Sequence, residues 1–175
     1  MSQINLAGAN AAVQLQGNNT ITSDQAFTFP DTGGQLVCYQ QGTWTPTFNE
    51  GTATAIRCNW SRVGNTVSFY GQANTFTTSV AEVIQIGGLP YANMIECIGG
   101  SVLGTNLTVG ADGAPFTATY VDNDSNISFY AVSPGGWNVA RYSNIASLAS
   151  FAIYWNGTYL TNDTTWAPAN GATIS

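Results

Sequence analysis

Histidine and lysine are absent from this 175-residue chain, and its only cations are Arg57, Arg62 and Arg141. Ser–His and Cys–His nucleophilic pairs therefore cannot be built, and acid–base chemistry would fall to carboxylates or tyrosine. Charged residues make up 7% of the chain, with a net charge of −6. Three scattered arginines cannot neutralise a run of phosphates, so nucleic-acid binding is not expected. The same lack of a basic face argues against docking on an anionic membrane. No apolar stretch reaches the roughly 18 residues of a transmembrane helix, so membrane insertion is not expected. The start, Met1-Ser2-Gln3-Ile4-Asn5-Leu6, has neither the basic region nor the apolar core of a signal peptide, and synthesis in a cytoplasm is expected. Asn-x-Ser/Thr sequons at Asn18, Asn59, Asn106, Asn126, Asn156 and Asn162 then reflect the abundance of Asn, Ser and Thr. Cys38, Cys58 and Cys97 are odd in number and widely spaced, which is no disulfide framework. They read as small buried apolar residues. No close-spaced Cys or His set exists to hold zinc, and neither metal nor cofactor is expected.

What is present is β chemistry. Gly, Thr, Asn and Ser punctuate segments rich in β-branched and aromatic residues, and no helical period runs through them. Residues 1–40 form a distinct region of short alternating segments: Ile4-Asn5-Leu6, Val13-Gln14-Leu15, Thr20-Ile21-Thr22 and Ala26-Phe27-Thr28-Phe29-Pro30. Such a set has too little apolar surface for its own core and is most easily stabilised by intertwining with copies of itself.

Residues 41–175 read as a second domain, with strands running in from Gln35. The expected strands are Gln35 to Tyr39, Trp44 to Phe48 (at an edge or a strand start because of Pro46), Ala53 to Trp60, then a hairpin of Cys58 to Val63 with Thr66 to Gly71, and Val80 to Ile86, Glu96 to Leu103, Phe116 to Val121 and Asn126 to Val132. Gly64-Asn65 reads as a hairpin loop, with Val67 and Phe69 sharing one face of the second strand and Ser68 and Tyr70 the other. Asn156-Gly157, between Phe151–Trp155 and Thr158–Leu160, is the strongest hairpin signal of all. Asn144 to Ser150 reads as a short helical turn, and the chain after Leu160 as an extended tail anchored by Trp166. The fold class is all-β: an antiparallel β-sandwich or jelly-roll knob after a short intertwined N-terminal β segment.

Chemistry is sparse. Of nine carboxylates, Glu82 and Glu96 alone lie in or near strands, flanking Gly87-Gly88-Leu89-Pro90-Tyr91. They are the one pair worth inspecting for glycoside cleavage, and the ordinary reading is that they are solvent-facing strand residues or partners for an arginine. The chain is expected not to be an enzyme, with no catalytic residues. Asp122-Asn123-Asp124 resembles the start of a calcium loop but lacks the following glycine and the distal glutamate, so it reads as a turn. Tyr91, Trp137 and Tyr159 fall beside turns. Aromatics there can stack on sugar rings while nearby amides hold hydroxyls, or can pack at a subunit interface.

Several of these motifs occur together in a familiar order. Gly42-Thr43-Trp44-Thr45-Pro46-Thr47-Phe48, Trp60-Ser61-Arg62-Val63-Gly64-Asn65-Thr66-Val67-Ser68-Phe69, Gly88-Leu89-Pro90-Tyr91 and Gly99-Gly100-Ser101-Val102-Leu103-Gly104 resemble a C-terminal knob module of tailed-phage tail fibres. Phe27-Thr28-Phe29-Pro30-Asp31-Thr32-Gly33-Gly34-Gln35-Leu36 is similar to the last shaft repeat leading into such a knob. The acidic, lysine-free composition is similar to that of cyanophage fibres. The resemblance implies a homotrimer in a virion, attached to other tail or capsid proteins through residues 1–40. It also implies that the knob loops recognise a host cell-surface glycan or protein. The alternatives left open are a capsid head fibre or decoration protein with a purely structural role, and a polysaccharide depolymerase tailspike.

Overall fold

A computed structural model describes residues 3–5, 12–14, 38–108 and 114–175. The chain divides into two compact units, Met1–Leu36 and Val37–Ser175. In the first, β1 (Gln3–Asn5) pairs antiparallel with β2 (Ala12–Gln14), Ile4 opposite Val13. The segments expected at 20–22 and 26–30, and the intertwining of chains, lie outside the described residues.

The second unit holds β3 (Tyr39–Thr43), β4 (Thr47–Phe48), β5 (Thr54–Val63), β6 (Thr66–Asn74), β7 (Ile86–Gly87), β8 (Cys97–Thr105), β9 (Ala118–Val121), β10 (Ile127–Ser133), β11 (Gly136–Val139) and β12 (Ala152–Leu160). All pair antiparallel in one sheet of order β3-β5-β6-β12-β8-β9-β10-β7-β4, with β11 added to β10. β3 and β4 sit at opposite ends of that path, yet only Trp44, Thr45 and Pro46 separate them in sequence. The sheet therefore has to curl until its ends approach, giving a half-barrel. The all-β expectation holds, and the layers of the expected sandwich are stretches of one curled sheet. Pro46 stands just before the end strand β4, where its missing N–H costs no ladder bond.

Alternation fills the inside of the curl. Trp60, Val67, Phe69, Ile153, Trp155 and Tyr159 come from β5, β6 and β12, and Val121, Ile127, Phe129 and Ala131 from β9 and β10; all are buried. Phe129 and Trp155 join the two groups, their ring centroids 6.3 Å apart. Phe76 knits one end, with centroids 5.2 Å from Phe48 and 5.0 Å from Phe151. Each such ring contributes about 1.5–3 kcal/mol on full burial, so the core needs no disulfide, and all three cysteines are free. Cys58 is buried as expected, whereas Cys38 is exposed.

The β5–β6 hairpin forms as read from the sequence, with Val63 opposite Thr66 and Gly64 at φ +60°. The Asn156-Gly157 hairpin does not form. β12 runs straight through that pair and matches β6 for nine consecutive residues, from Ala152 opposite Asn74 to Leu160 opposite Thr66. A type I′ turn needs positive φ at both positions, and neither residue has it. Gly157 is there because of a close approach: a Cβ would lie 2.6 Å from Cζ of Phe69. Other segments differ as well. Of the 80–86 segment only Ile86 lies in a strand, β7, although Ile84 and Ile86 are both buried. The expected helical turn is two single 3-10 turns, Tyr142–Asn144 and Leu148–Ser150. β11 was not anticipated.

After Leu160 the chain lies along the open edge of β3. Thr173 N donates to Thr43 O at 2.8 Å and Ser175 N to Gln41 O at 3.0 Å. A Cβ on Gly42 would sit 1.6 Å from Thr173 O, so only glycine permits this contact. The tail thereby covers a strand edge that would otherwise be free to pair with another chain.

An unbroken β12 has separable consequences for its two central residues. Replacing exposed Asn156 by Thr is expected to change stability by no more than about 1 kcal/mol, because β-branched residues suit strands. Gly157→Val is expected to cost about 2–3 kcal/mol through overpacking against Phe69. Urea unfolding of both variants checks this; a large loss for Asn156→Thr would indicate a turn.

Candidate functional site

The alternation that buries the aromatics points the other residues of β3, β5, β6 and β12 outward. Register sets them in rows across the strands: Thr43–Asn59–Tyr70–Asn156, then Gln41–Ser61–Ser68–Thr158, and on the other side Arg57–Gln72–Tyr154–Leu103. Tyr39, Tyr70 and Tyr154 stand exposed at 57%, 48% and 42%. Around them are amides and hydroxyls, groups that donate and accept hydrogen bonds without charge. Several are already oriented. Tyr39 OH donates to Gln41 Oε1 at 2.6 Å, Gln72 Nε2 to Tyr154 OH at 3.2 Å, and Asn156 Nδ2 to Ser101 Oγ at 3.1 Å.

Two grooves meet at Tyr70 and Asn156. One, of about 590 Å³, is lined by Tyr39, Gln41, Asn59, Ser61, Ser68 and Thr158. The other, of about 380 Å³, is lined by Arg57, Gln72, Ser101, Leu103 and Tyr154. A third, of about 360 Å³, continues from Arg57 and Asn59 to Thr43 and Pro46. Flat rings beside fixed amides and hydroxyls on strands suit a polyhydroxylated ligand. Rings can cover its apolar faces while the neighbours take its hydroxyls. Sequence reasoning placed Ser68 and Tyr70 on one face but did not see that face extend to Asn156 and Thr158. A reading of 152–160 as one strand in phase with 66–74 would have found it.

The residues expected to bind lie elsewhere. Tyr91 and Tyr159 are each only 2% exposed. Tyr159 OH donates to Tyr91 O at 2.9 Å and accepts from Tyr91 N at 3.2 Å. Both rings are committed to the core, where burial is the main cause raising their hydroxyl pKa values. They cannot present a face to a sugar, which corrects the expectation for these two. Sequence position beside Gly88-Leu89-Pro90 suggested a surface loop, but that loop is tied down: Asn170 Nδ2 donates to Leu89 O at 2.8 Å and Ala169 N to Pro90 O at 2.7 Å.

Tyr91 instead flanks a buried arginine. Arg62 is 2% exposed and lies between the rings of Tyr91 and Trp166, 4.4 and 3.9 Å from their centroids. Its Nε donates to Gly64 O at 2.8 Å, and the two terminal nitrogens donate to Asp163 Oδ1 at 2.9 Å and Asp163 O at 2.5 Å. This clamp anchors the C-terminal tail to the β5–β6 hairpin, and Trp166 is part of it, as expected.

Trp137 is exposed, at 65%, on the β10–β11 hairpin. Its ring meets Tyr130 at 6.0 Å between centroids, and Tyr130 meets Tyr120 at 5.5 Å. With Ile98 and Val132 these rings line an apolar hollow of about 90 Å³. Tyr91, Trp137 and Tyr159 are thus not one site.

Glu82 and Glu96 belong to different neighbourhoods. The Glu82 carbonyl accepts from Tyr142 N at 3.0 Å. Glu96 Oε1 accepts from Asn123 Nδ2 at 3.1 Å, and its carboxylate, first among several causes, pushes the Tyr120 hydroxyl up to about 12. Asp122 closes the β9–β10 turn, Oδ1 accepting from Asn126 N at 2.8 Å. Among the described residues no cluster of metal-ligating side chains forms. Burial drives the Cys58 thiol up to about 11, so it stays protonated near neutrality.

Comparisons with protein-family models, with curated proteins and with solved structures return no match.

The Arg62 clamp carries a pH dependence. The Thr165 hydroxyl first, with Arg62 and the Trp166 N–H, holds the Asp163 carboxyl below its ordinary value of 3.8. A carboxyl depressed in the folded state adds stability above its unfolded pKa and loses it as pH falls through the folded value. Acid titration followed by tryptophan fluorescence is expected to show tail release below about pH 3.8. In Asp163→Asn that acid step should be missing. An unchanged step in the variant would remove Asp163 from the account.

Proposed function

We propose that this chain is a non-enzymatic recognition module of a phage virion fibre, which holds a host cell-surface glycan against the outer face of β3, β5, β6 and β12. The observation that carries the reading is that face itself. Three tyrosines, four amides and a row of hydroxyls are set in strand register and flank connected grooves. Strands hold such groups more rigidly than loops do. Individual contacts to sugar hydroxyls are weak, so copies of the module on one fibre would gain by multivalency.

The fibre part of the proposal draws on the sequence resemblance over residues 42–104. Its motif residues are the ones on which the unit is built. Gly42 admits the tail, Trp44 and Trp60 are core, Gly64-Asn65 turns the first long hairpin, and Tyr91 flanks the buried arginine. The proposed homotrimer gives a role to the apolar hollow of Ile98, Tyr130, Val132 and Trp137, since uncharged aromatic surface suits contact between copies of an acidic chain. The same hollow also suits a purely structural capsid decoration protein.

Binding of the full chain to an array of bacterial surface glycans separates these readings. A glycan-binding fibre is expected to give signal that falls about tenfold in Tyr70→Ala, equivalent to ~1.4 kcal/mol, with the β-sheet signature in circular dichroism unchanged. Absence of binding across the array would favour the structural role. Native mass spectrometry is expected to show a trimer, and a monomer at micromolar concentration would contradict that part.

A further inference from the structure

We propose that Arg57 makes the second groove a subsite for the carboxylate of an acidic sugar, so that the glycan held on this face is a uronate-type polymer and not a neutral one. This rests on the reading of the outer face as a ligand site.

Two of the three arginines are already engaged. Arg62 is buried against Asp163, and Arg141 donates through a terminal nitrogen to Ala81 O at 2.7 Å. Arg57 is exposed and makes no ion pair among the described residues, where Arg62–Asp163 is the only one. It lies where the second and third grooves meet.

The distribution of charge around it is the second observation. Acidic residues outnumber cations nine to three in this chain, yet no Asp or Glu side chain lines any of the three grooves. Arg57 is the one charged side chain that does. The second groove thus offers an anion one guanidinium with no opposing Asp or Glu side chain in its lining. The overall charge of −6 does not oppose an anion there, because exposed charges beyond about 8 Å are largely screened at physiological salt. The local guanidinium decides.

Geometry supports the same choice. The β5–β6 register shifts between Ala55 and Arg57, a bulge of the kind that re-aims side chains beside binding sites. Immediately after it Arg57 pairs with Gln72, whose amide nitrogen is held by Tyr154 OH. A guanidinium offers a planar fork that matches a carboxylate through two parallel hydrogen bonds. The neighbouring amides and Tyr70 remain for the ring and its hydroxyls. A single cation cannot retain a polyphosphate, so the fit is to sugars carrying isolated charges.

The test is an array holding uronate-bearing polysaccharides, the same polymers after carboxyl reduction, sulfated polysaccharides and neutral ones, probed with the full chain and with Arg57→Gln. Binding is expected to concentrate on the uronates, to fall at least tenfold on carboxyl reduction and in Arg57→Gln, and to weaken with added salt. Arg57→Lys should recover only part, because it restores charge without the fork. Circular dichroism confirms that the variants fold. Equal binding to the carboxyl-reduced polymers, or uronate binding unchanged in Arg57→Gln, overturns this subsite while leaving the ligand face standing. A preference for sulfated over uronate polymers overturns the carboxylate assignment. Silence across the whole array overturns the ligand face and the subsite together.

Discussion

The passage of β12 beneath β8 is the contact on which the rest of this unit depends. β12 is bonded to β6 along its whole length and to β8 over its first half, from Ala152 opposite Thr105 to Trp155 opposite Val102. Beyond Trp155 the two backbones come too close for side chains. A Cβ on Gly100 would lie 1.8 Å from Asn156 O, and one on Gly99 would lie 2.2 Å from Thr158 O. Glycine at these points lets the strands cross without breaking either. Alternation then continues from Ala152 to Leu160, sending Ile153, Trp155 and Tyr159 into the core and Tyr154, Asn156 and Thr158 outward. A slip of one residue would exchange the two sets, so the tyrosine–amide face and the aromatic core are specified together.

A second constraint acts at the edge of the sheet. Burying a guanidinium is costly unless it is paired and hydrogen-bonded, and Arg62 is satisfied chiefly by a residue of the C-terminal tail, Asp163. The requirement works in both directions. The arginine cannot remain in its pocket without the tail, and the tail, which contains no strand, is held by the arginine and by its bonds to Thr43 and Gln41. The open edge of β3 is therefore covered by the same tail that neutralises the buried charge.

Much of the fold was legible where local chemistry and long-range packing agree. The Gly64-Asn65 hairpin, the Asp122–Ser125 turn and the strands around them follow from turn residues and period-two alternation. Legibility failed where a glycine serves packing between distant segments. Asn156-Gly157 has the local signature of a turn, but its reason for being glycine is Phe69, far away in sequence. Tyr91 and Tyr159 misled for a related reason: proximity to Gly and Pro suggests exposure, and nothing local reveals that Arg62 lies over the Tyr91 ring or that Tyr159 OH is bonded to Tyr91 O. The short β7 strand was overestimated because Ile84 and Ile86 are buried in phase without a long partner. The candidate site was half visible, since Ser68 and Tyr70 were assigned to one face; its other half needed the register of β12.

The two outer faces differ in chemistry, one polar and tyrosine-rich, the other apolar around Trp137, and the division of labour proposed above follows from that difference. All of it presupposes that β12 is one strand. Cross-strand nuclear Overhauser contacts test this most directly. The account predicts backbone contacts from Tyr154 to Gln72 and from Thr158 to Ser68. Backbone contacts between Trp155 and Thr158, as a hairpin closed by Asn156-Gly157 would give, would contradict it.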